Sequence, residues 1–367
     1  MEIIRSATFE GMADKDGYPT KEYKRLYETL AKNEVKTLIT GFMYISNKGR
    51  AMQIGQAGMD EMGKVKAYKE ITDSVHRYGS KIIAQLAHTG RQTWNTGYEV
   101  VGVSSKKSNY FNTKPHILTK NEINATIEEF SDSALYAKLA GFDGVQLHAA
   151  HGYLIHQFLL PSINDRQDEY GEGTLFLERI IHRIREKCED FPIWVKVSWG
   201  VDIENYTKDQ FIDLICFLDK LKVDAIEVSY GTMDVALNIF RGKIPIKEVL
   251  KYNPIYNKKS IWWRIFGLPL EVIKIKKFTP MYNLEYAKLA KQHTNIPVIA
   301  VGGFRIGEEI HNCGMDFVSL SRPFICEVDF LVKLKENPHY VSKCTNCNRC
   351  AIMCDTKYSL RCYGRSR

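Results

Sequence analysis

The sequence predicts an α/β protein whose core is a (β/α)8 barrel. Eight short runs of apolar, largely β-branched residues recur along the chain, with segments of helical length between them. Runs that are apolar throughout are typical of parallel strands buried on both faces. Eight such units favour a closed barrel, and a doubly wound open sheet is the alternative. A chain of 367 residues, 44% of them hydrophobic and 26% charged, suffices for one large or two ordinary domains.

The predicted strands and helices follow one another along the chain. The strand sequences are EIIRSA, TLITGFMYI, KIIAQL, GVQLH, IWVKVS, AIEVS, PVIAV and FVSL, which begin at residues 2, 37, 81, 144, 193, 225, 297 and 317. The helix before the fourth strand begins near Thr119 or Asn121, either of which is a suitable N-cap, and closes at Gly141. The segment FLERIIHRIREKCED predicts the helix that follows the fourth strand.

The segment 231–296 is about twice as long as one helix and two loops require, which predicts an insertion between the sixth and seventh strands. Its stretch SIWWRIFGLPLEVI predicts a helical lid or a cover for the barrel. An amphipathic piece that touches a membrane is the alternative. We therefore predict a barrel over residues 1–340 that carries this insertion, and a cysteine-rich tail over residues 341–367.

Charge and targeting patterns exclude several classes of protein. The net charge is +8, from 51 Lys plus Arg against 43 Asp plus Glu. This balance gives little support for a nucleic-acid partner and suits an enzyme that binds phosphate-bearing cofactors. The first residues carry no signal-peptide pattern and no run of about 18 apolar residues occurs, so no membrane span is predicted and a cytoplasmic location is expected. The sequence leaves open whether the protein is a homo-oligomer.

Polar residues follow the predicted strands at the end where barrel enzymes carry their active sites. They are Thr8, Thr40 with Gly41, Gln85 with His88, His148 through Tyr153, Lys196, Ser229, Gly302 with Gly303, and Ser321 with Arg322. After the last two strands, a glycine pair therefore lies next to a cation and hydroxyl groups. This is the usual phosphate position of the fold.

Lys196 interrupts the otherwise apolar strand IWVKVS. Burial of an ammonium group is costly unless the group is paired or used. Three interpretations are open: a Schiff-base lysine, a cation beside an anionic ring, or an ion-pair partner of a strand carboxylate such as Glu227. Gln85, His148 and Tyr153 are predicted at the same end of the barrel, and this convergence favours an active site over isolated core residues.

Five segments resemble one known family. They are RSATFEGMA, AQLAHTGRQ, FDGVQLHAAHGYLIHQFLLPSINDRQDEYG, IPVIAVGGF and SLSRPF, in this order. They resemble segments of the Old Yellow Enzyme family of FMN-dependent ene-reductases and NADH:flavin oxidoreductases. The match spans nearly the whole chain, and HAAHGYL followed by DEYG is its most specific part. The resemblance implies a barrel that binds FMN and takes hydride from NAD(P)H.

The resemblance implies catalytic roles for residues after the fourth strand. His148 and His151 would hydrogen-bond the carbonyl oxygen of an α,β-unsaturated carbonyl substrate, and Tyr153 would protonate its α carbon. The sequence neither chooses between NADH and NADPH nor names the substrate, whose recognition is expected to lie in residues 93–113 and the insertion. The alternatives are a flavin-free lyase or aldolase that uses Lys196, and an electron-transfer flavoprotein without enone reduction.

The resemblance also implies a set of residues around FMN. Gln85 would contact the pyrimidine edge, and Lys196 would place a cation near flavin N1, where larger relatives commonly have arginine. The residues implied to line the isoalloxazine ring are Ala7, Thr8 and Gly41. The residues implied to hold the phosphate are Gly302, Gly303, Ser321 and Arg322.

Five cysteines crowd the tail, and such clustering without a signal peptide favours a metal over disulfides. The spacing C-x2-C-x2-C-x3-C resembles a ferredoxin run, although Asp355 replaces the proline that often follows. The family resemblance implies a [4Fe-4S] cluster at this chain position, although the third cysteine comes one residue early here. The predicted ligands are Cys344, Cys347, Cys350 and Cys362, with Cys354 in reserve. The alternatives are zinc, including a zinc-ribbon binding module with the barrel as scaffold, and an unliganded tail.

Two parts of the larger relatives are expected to have no counterpart in this sequence. The family usually has a leading segment before its first strand, so we expect either a barrel bottom without that plug or a natural start farther upstream. The second half of the larger relatives binds flavin and nucleotide. Because this sequence lacks that half, we expect it to lack the usual internal electron donor.

Overall fold

A computed structural model describes residues 1–364, so the last three residues of the predicted tail lie outside the described part. The strands are, in chain order, β1 (Glu2–Arg5), β2 (Thr37–Ile39), β3 (Met43–Tyr44), β4 (Lys81–Ala87), β5 (Val101–Gly102), β6 (His116–Ile117), β7 (Val145–Ala149), β8 (Ile193–Ser198), β9 (Ala225–Ser229), β10 (Val298–Val301) and β11 (Phe317–Leu320). Eight of them pair in the order β2-β1-β11-β10-β9-β8-β7-β4, and the pairing of β2 with β4 closes the ring. All of these pairs are parallel, which confirms the predicted (β/α)8 barrel.

Helices connect the strands and cover the barrel. The α-helices are, in chain order, α1 (Lys21–Lys32), α2 (Val65–His76), α3 (Lys120–Leu139), α4 (Leu154–Leu159), α5 (Leu175–Cys188), α6 (Lys208–Lys220), α7 (Ile246–Tyr252), α8 (Leu268–Ile273), α9 (Leu284–Gln292), α10 (Gly307–His311), α11 (Arg322–Cys326), α12 (Phe330–Glu336) and α13 (Arg349–Met353). Thr119 is the N-cap of α3 and forms a capping box, in which the side chains of Thr119 and Glu122 each accept from the other's backbone N–H. Within the described residues, every helix is too short or too polar to cross a membrane.

The second predicted strand, TLITGFMYI, is divided into β2 and β3. Between them, the Gly41 N–H donates to Glu10 Oε1 at 2.7 Å instead of to a neighbouring strand. A Cβ at Gly41 would lie 2.2 Å from the Glu10 carboxylate. This close approach requires glycine, and it ends β2.

The barrel interior has an apolar layer below a polar one. The apolar layer consists of Ile4, Ile39, Ile83, Ala225 and Ile299. Side chains on one face of a strand recur every second residue, so the next inward positions include Ser6, Gln85 and Glu227. All three are buried. The strand sequences thus place polar groups directly above the apolar layer, at the C-terminal end of the barrel.

The insertion lies between β9 and α9. It contains a 3-10 segment (Met233–Asn238), α7, and a π-helical turn (Trp263–Gly267) that continues into α8. The segment 231–296, predicted as the insertion, therefore includes α9, which is a helix of the barrel itself. Helix α13 of the tail packs against α7, so the tail and the insertion are in contact.

Candidate active site

A cavity of about 340 Å³ lies at the C-terminal ends of the barrel strands. The predicted site residues that line it are Ala7, Thr8, Gln85, His148, His151, Tyr153, Lys196, Gly302, Gly303, Ser321 and Arg322. Gly41 is the exception among the predicted flavin-site residues, since it packs against Glu10. The fold thus brings the three predicted catalytic residues to one cavity with the other residues predicted to bind the cofactor.

Lys196 and Glu227 form a buried ion pair beside the cavity. Register pairing between β8 and β9 sets them opposite each other, and the Nζ to Oε2 distance is 3.0 Å. Glu227 also accepts hydrogen bonds from the hydroxyls of Ser6 and Ser319. Burial opposes the charge on Glu227, but Lys196 and these hydroxyls hold the pKa of the carboxyl below its usual range. Of the three interpretations of Lys196, the ion pair is therefore observed, while the side chain also faces the cavity.

A chain of amide hydrogen bonds joins this ion pair to Gln85. Gln146 Nε2 donates to Glu227 Oε2 at 3.0 Å, and Gln85 Nε2 donates to Gln146 Oε1 at 2.7 Å. The register of β4 against β7 sets Gln85 opposite Gln146. With its NH2 group engaged in this way, Gln85 offers its side-chain oxygen to an N–H group of a ligand.

His148 and His151 are hydrogen-bonded to each other. His151 Nδ1 lies 3.2 Å from His148 Nε2, and His151 Nε2 lies 2.9 Å from Ser229 Oγ. Burial, followed by the charge of Lys196, lowers the pKa of His148 to about 3. Burial, followed by His148, lowers the pKa of His151 as well. Both rings are therefore neutral at physiological pH.

The outer nitrogen of the His148 ring is enclosed by the protein. His148 Nδ1 is fully buried, and backbone groups of His148 and Ala150 act on the ring and oppose the lowering of its pKa. If Ser229 donates to His151 Nε2, then His151 Nδ1–H donates to His148 Nε2, and the remaining N–H is at His148 Nδ1. His151 has a φ of 60°, a left-handed conformation that is uncommon for a non-glycine residue and recurs at functional sites.

Tyr153 packs beside His148 at the start of α4. The ring centroids of Tyr153 and His148 are 4.6 Å apart, and Tyr153 lines the cavity. Burial, followed by the carboxylate of Asp355, raises the pKa of the Tyr153 hydroxyl above its ordinary value. The hydroxyl therefore stays protonated and can act as a proton donor.

The loops after β10 and β11 form a cationic part of the site. Gly302 and Gly303 have φ of 112° and 83°, and a Cβ at Gly302 would lie 2.6 Å from the Tyr282 ring. Arg322 Nη1 donates to the backbone oxygen of Arg241 at 2.7 Å, and the Arg241 guanidinium lies 4.6 Å from the centre of the Tyr282 ring. Close backbone approach beside a fixed guanidinium suits a phosphate group. Arg241, which belongs to the insertion, thus positions Arg322 through its backbone oxygen.

The insertion supplies much of the apolar wall of the cavity. Its lining residues are Met233, Val235, Ala236, Leu237, Ile239, Phe240, Ile244, Val249, Leu268, Val272 and Ile275. Tyr110, from the loop 93–113, also lines the cavity. The two segments that the sequence named for substrate recognition therefore both reach the site. An apolar wall with few polar groups favours a hydrophobic ligand.

The tail contributes a half-buried carboxylate, Asp355, that the sequence did not assign to this site. Asp355 lines the cavity and accepts hydrogen bonds from Asn253 Nδ2 at 2.7 Å and from Gln53 Nε2 at 3.0 Å. Burial raises the pKa of Asp355 to about 6. The sequence contained one signal that could have drawn attention to Asp355, because this aspartate stands where a ferredoxin-like run often has proline.

A small pocket beside the cavity is lined by cysteines. They are Cys326, Cys344, Cys347, Cys350 and Cys362. Cys326, the last residue of α11, has its Sγ 3.9 Å from Cys362 Sγ. Cys354 instead lines the large cavity. Within residues 1–364, no group of three or more Cys, His, Asp or Glu side chains is arranged to hold a metal ion.

The chain is similar in sequence to bacterial flavin oxidoreductases. Residues 3–252 match the model of the NADH:flavin oxidoreductase / NADH oxidase family. An NADH oxidase of Thermoanaerobacter brockii is 30% identical over 94% of this chain, which spans 50% of that relative. An NADPH dehydrogenase of Geobacillus thermodenitrificans is 29% identical, with 85% of this chain and 82% of the relative covered. Another, from Listeria welshimeri, is 33% identical over 65% of this chain and 72% of its own length.

Two solved structures share the fold. A 2-naphthoyl-CoA reductase in complex with 2-naphthoyl-CoA has a TM-score of 0.78 at 20% identity, with 95% of this chain and 52% of that chain covered. An old yellow enzyme homologue from Zymomonas mobilis has a TM-score of 0.70 at 22% identity, with 93% and 90% covered. At such identities the two solved structures show a shared fold alone. Common descent is shown by the match to the family model and by the relatives of similar sequence. This chain therefore belongs to the NADH:flavin oxidoreductase / NADH oxidase family, which is the Old Yellow Enzyme family.

Proposed function

We propose that this protein is an FMN-dependent oxidoreductase that takes hydride from NAD(P)H and reduces the C=C bond of an α,β-unsaturated carbonyl compound. The observation that carries the proposal is the pairing, in one cavity, of two neutral histidine rings, His148 and His151, with the hydroxyl of Tyr153. A carbonyl oxygen that gains negative charge needs a hydrogen-bond donor, and the carbon next to it needs a proton. The ring N–H groups of the histidine pair supply the hydrogen bond, and the Tyr153 hydroxyl supplies the proton.

The residues of the cavity fit FMN. Arg322, with the backbone of Gly302 and Gly303, suits the phosphate. Lys196 offers a cation to the ring system, and Gln85 offers an amide oxygen to a ring N–H. When bound, FMN accepts hydride from NAD(P)H and passes it to the second substrate.

The chain's own residues act on that second substrate. His148 Nε2 and His151 Nδ1 lie 3.2 Å apart, and in the complex both rings would turn N–H groups to the carbonyl oxygen in place of their mutual hydrogen bond. Tyr153 gives its hydroxyl proton to the α carbon, and the apolar wall keeps water away from both groups. A preorganised N–H donor, such as each ring of this histidine pair, typically contributes on the order of 3 kcal/mol to stabilisation of the transition state.

A lyase that uses Lys196 as a Schiff base is less well supported. A Schiff-base lysine must direct its amine at a substrate carbonyl carbon, whereas Lys196 Nζ is engaged with Glu227 at 3.0 Å. Borohydride reduction in the presence of an aldehyde or ketone substrate would trap Lys196 covalently if the lyase reading held. Under our proposal, Lys196 stays unmodified.

The substitution Arg322→Ala tests the placement of FMN. We expect the protein to purify yellow and to bleach when NAD(P)H is added anaerobically. The variant should bind FMN about ten- to a hundredfold more weakly, because a hydrogen bond to a charged group is worth about 1.5–3 kcal/mol. Titration of the apoprotein with FMN, followed by flavin fluorescence, measures this Kd. The matched control is Arg77→Ala, an exposed arginine after α2, and full FMN affinity in Arg322→Ala would contradict the phosphate placement.

We further propose that the tail, residues 341–367, is a separate functional part that holds a [4Fe-4S] cluster. The support is that Cys344, Cys347, Cys350 and Cys362 line one pocket, which shares Cys350 with the flavin cavity. The sulfurs around a cubane cluster lie farther apart than the sulfurs around one ion. The absence of a single-ion arrangement in the described residues is therefore compatible with a cluster.

Iron analysis of the anaerobically purified protein tests this second proposal. We expect about four irons per chain, as a [4Fe-4S] cluster requires. Cys347→Ser should lose most of this iron, whereas Cys216→Ser, on α6, should keep it. A wild-type chain without metal but with normal flavin reduction would rule out the metal proposal, and one zinc per chain would replace the cluster by the zinc alternative.

A further inference from the structure

The insertion carries an apolar surface that faces solvent. Within residues 261–273, six large apolar side chains are between 51% and 79% exposed. They are Ile261, Trp262, Ile265, Phe266, Leu270 and Ile273, which we call the outer face. A surface helix normally turns its apolar stripe inward and its polar side outward. Contiguous exposed apolar patches of this kind mark interaction sites.

The opposite side of the same helical segment already faces the protein. Leu268, Val272 and Ile275 line the large cavity. The inward apolar stripe that the barrel requires is therefore present without the outer face. Packing within this chain leaves the outer face unexplained.

Positive charge surrounds the outer face. Between residues 257 and 278 the cations are Lys258, Lys259, Arg264, Lys274, Lys276 and Lys277, and the acidic residue is Glu271. Six cations less one carboxylate give this segment a net charge of +5. The lysines stand before and after the outer face and are exposed. Lys274 Nζ lies 3.1 Å from Glu271 Oε1 and Lys276 Nζ lies 3.9 Å from Asp202 Oδ1, and the long stems of the other lysines can reach past the apolar side chains. Trp, Phe and Ile flanked by lysines are typical of helices that lie in a membrane interface.

We propose that the outer face docks this protein on the surface of a bilayer that contains anionic lipids. Charge complementarity favours this occupant, because the net positive segment meets a negative surface while the apolar side chains enter the boundary between headgroups and acyl chains. A second copy of this chain fits less well. Two outer faces packed together would bring the terminal lysines of both copies close to one another.

Docking also narrows the substrate class, a step that rests on the proposed function. The helical segment would contact the lipid with its outer face, while its opposite face lines the cavity. The apolar wall of the site would therefore lie next to the bilayer. The substrate class that this arrangement fits is a hydrophobic unsaturated carbonyl compound dissolved in the membrane.

Vesicle flotation of the flavin-loaded protein tests docking without any measurement of turnover. The wild type should float at low salt with phosphatidylcholine vesicles that contain about 30% phosphatidylglycerol, and about 0.5 M salt should release it. The double variant Trp262→Ser with Phe266→Ser should bind at least about tenfold more weakly. Exchange of Lys274, Lys276 and Lys277 for glutamine should weaken binding by about fivefold for each charge removed.

Leu139→Ser is the matched control, because Leu139 is an exposed apolar residue on α3, outside the insertion. The proposal is wrong if the wild type does not float at low salt, or if the double variant floats as well as the wild type. It is also wrong if the wild type is a dimer in solution that the double variant converts to a monomer, since a second copy then covers the outer face. Flavin content and flavin reduction by NAD(P)H should be unchanged in these variants, which separates a failure of docking from a failure of the proposed function.

Discussion

Replacement of Tyr153 by phenylalanine is expected to slow the oxidation of the reduced flavin by an enone by about 10²- to 10⁴-fold, the usual contribution of a general acid. Flavin reduction by NAD(P)H should stay near the wild-type rate, because the hydroxyl acts on the second substrate alone. Phenylalanine preserves the ring that packs 4.6 Å from the His148 ring, so the packing should change little. Anaerobic stopped-flow absorbance of the flavin measures the two half-reactions separately.

Tyr98→Phe is the control for this experiment, since it removes an exposed hydroxyl from the loop 93–113. Both half-reactions should be unaffected in that variant. If Tyr153→Phe loses both half-reactions equally, the hydroxyl supports the structure of the site and does not transfer a proton. The separation of the two half-reactions is therefore the decisive readout.

The barrel and the location of its site could be predicted because both depend on local patterns. An apolar run followed by a polar residue marks each strand and its C-terminal end, as at Gln85 and Lys196. The alternation of Ala225 with Glu227 similarly marks which side chains point inward. Even the partner of Lys196 could be named, because register pairing between neighbouring strands sets Glu227 opposite it.

Contacts between distant segments could not be predicted in the same way. Asp355 enters the cavity because the tail folds over the end of the barrel, and Cys326 reaches the cysteine pocket from α11. The contact of Gly41 could not be predicted from the sequence for the same reason. A glycine at a strand end can allow the close approach of a ligand or of a buried side chain, and here the neighbour is Glu10, 31 residues earlier in the chain.

A decrease in pH from about 7 to 5 is expected to lower the free energy of unfolding by several kcal/mol. Burial lowers the pKa of His88, His148 and His156 to about 3, and lowers that of His151 in the same direction. The unfolded chain takes up these protons near the ordinary histidine pKa of about 6.5. It therefore binds more protons than the folded protein between the two values, and stability falls as the pH decreases through this window. Each histidine with a pKa of about 3 contributes a loss of about 2 kcal/mol at pH 5.

Protonation of Asp355 changes the free energy of unfolding in the opposite direction. Because burial raises its pKa to about 6, the folded protein takes up this proton before the unfolded chain does. Stability therefore rises by about 1 kcal/mol from this group as the pH falls to about 5. The histidines outweigh this gain, so a net loss of about 4 kcal/mol or more remains.

Urea unfolding at both pH values, with saturating FMN, measures this loss, and His88→Asn isolates one part of it. Asparagine can accept the Gly90 N–H that His88 Nδ1 accepts at 3.0 Å, but it takes up no proton. The loss between the two pH values should therefore shrink by about 2 kcal/mol in this variant, while His182→Asn, exposed on α5, should leave it unchanged. An unaltered loss in His88→Asn would mean that His88 is charged in the folded protein at pH 5. Burial is the largest cause of the lowered pKa of His88 and of His148, so that result would also weaken the assignment of His148 as a neutral N–H donor.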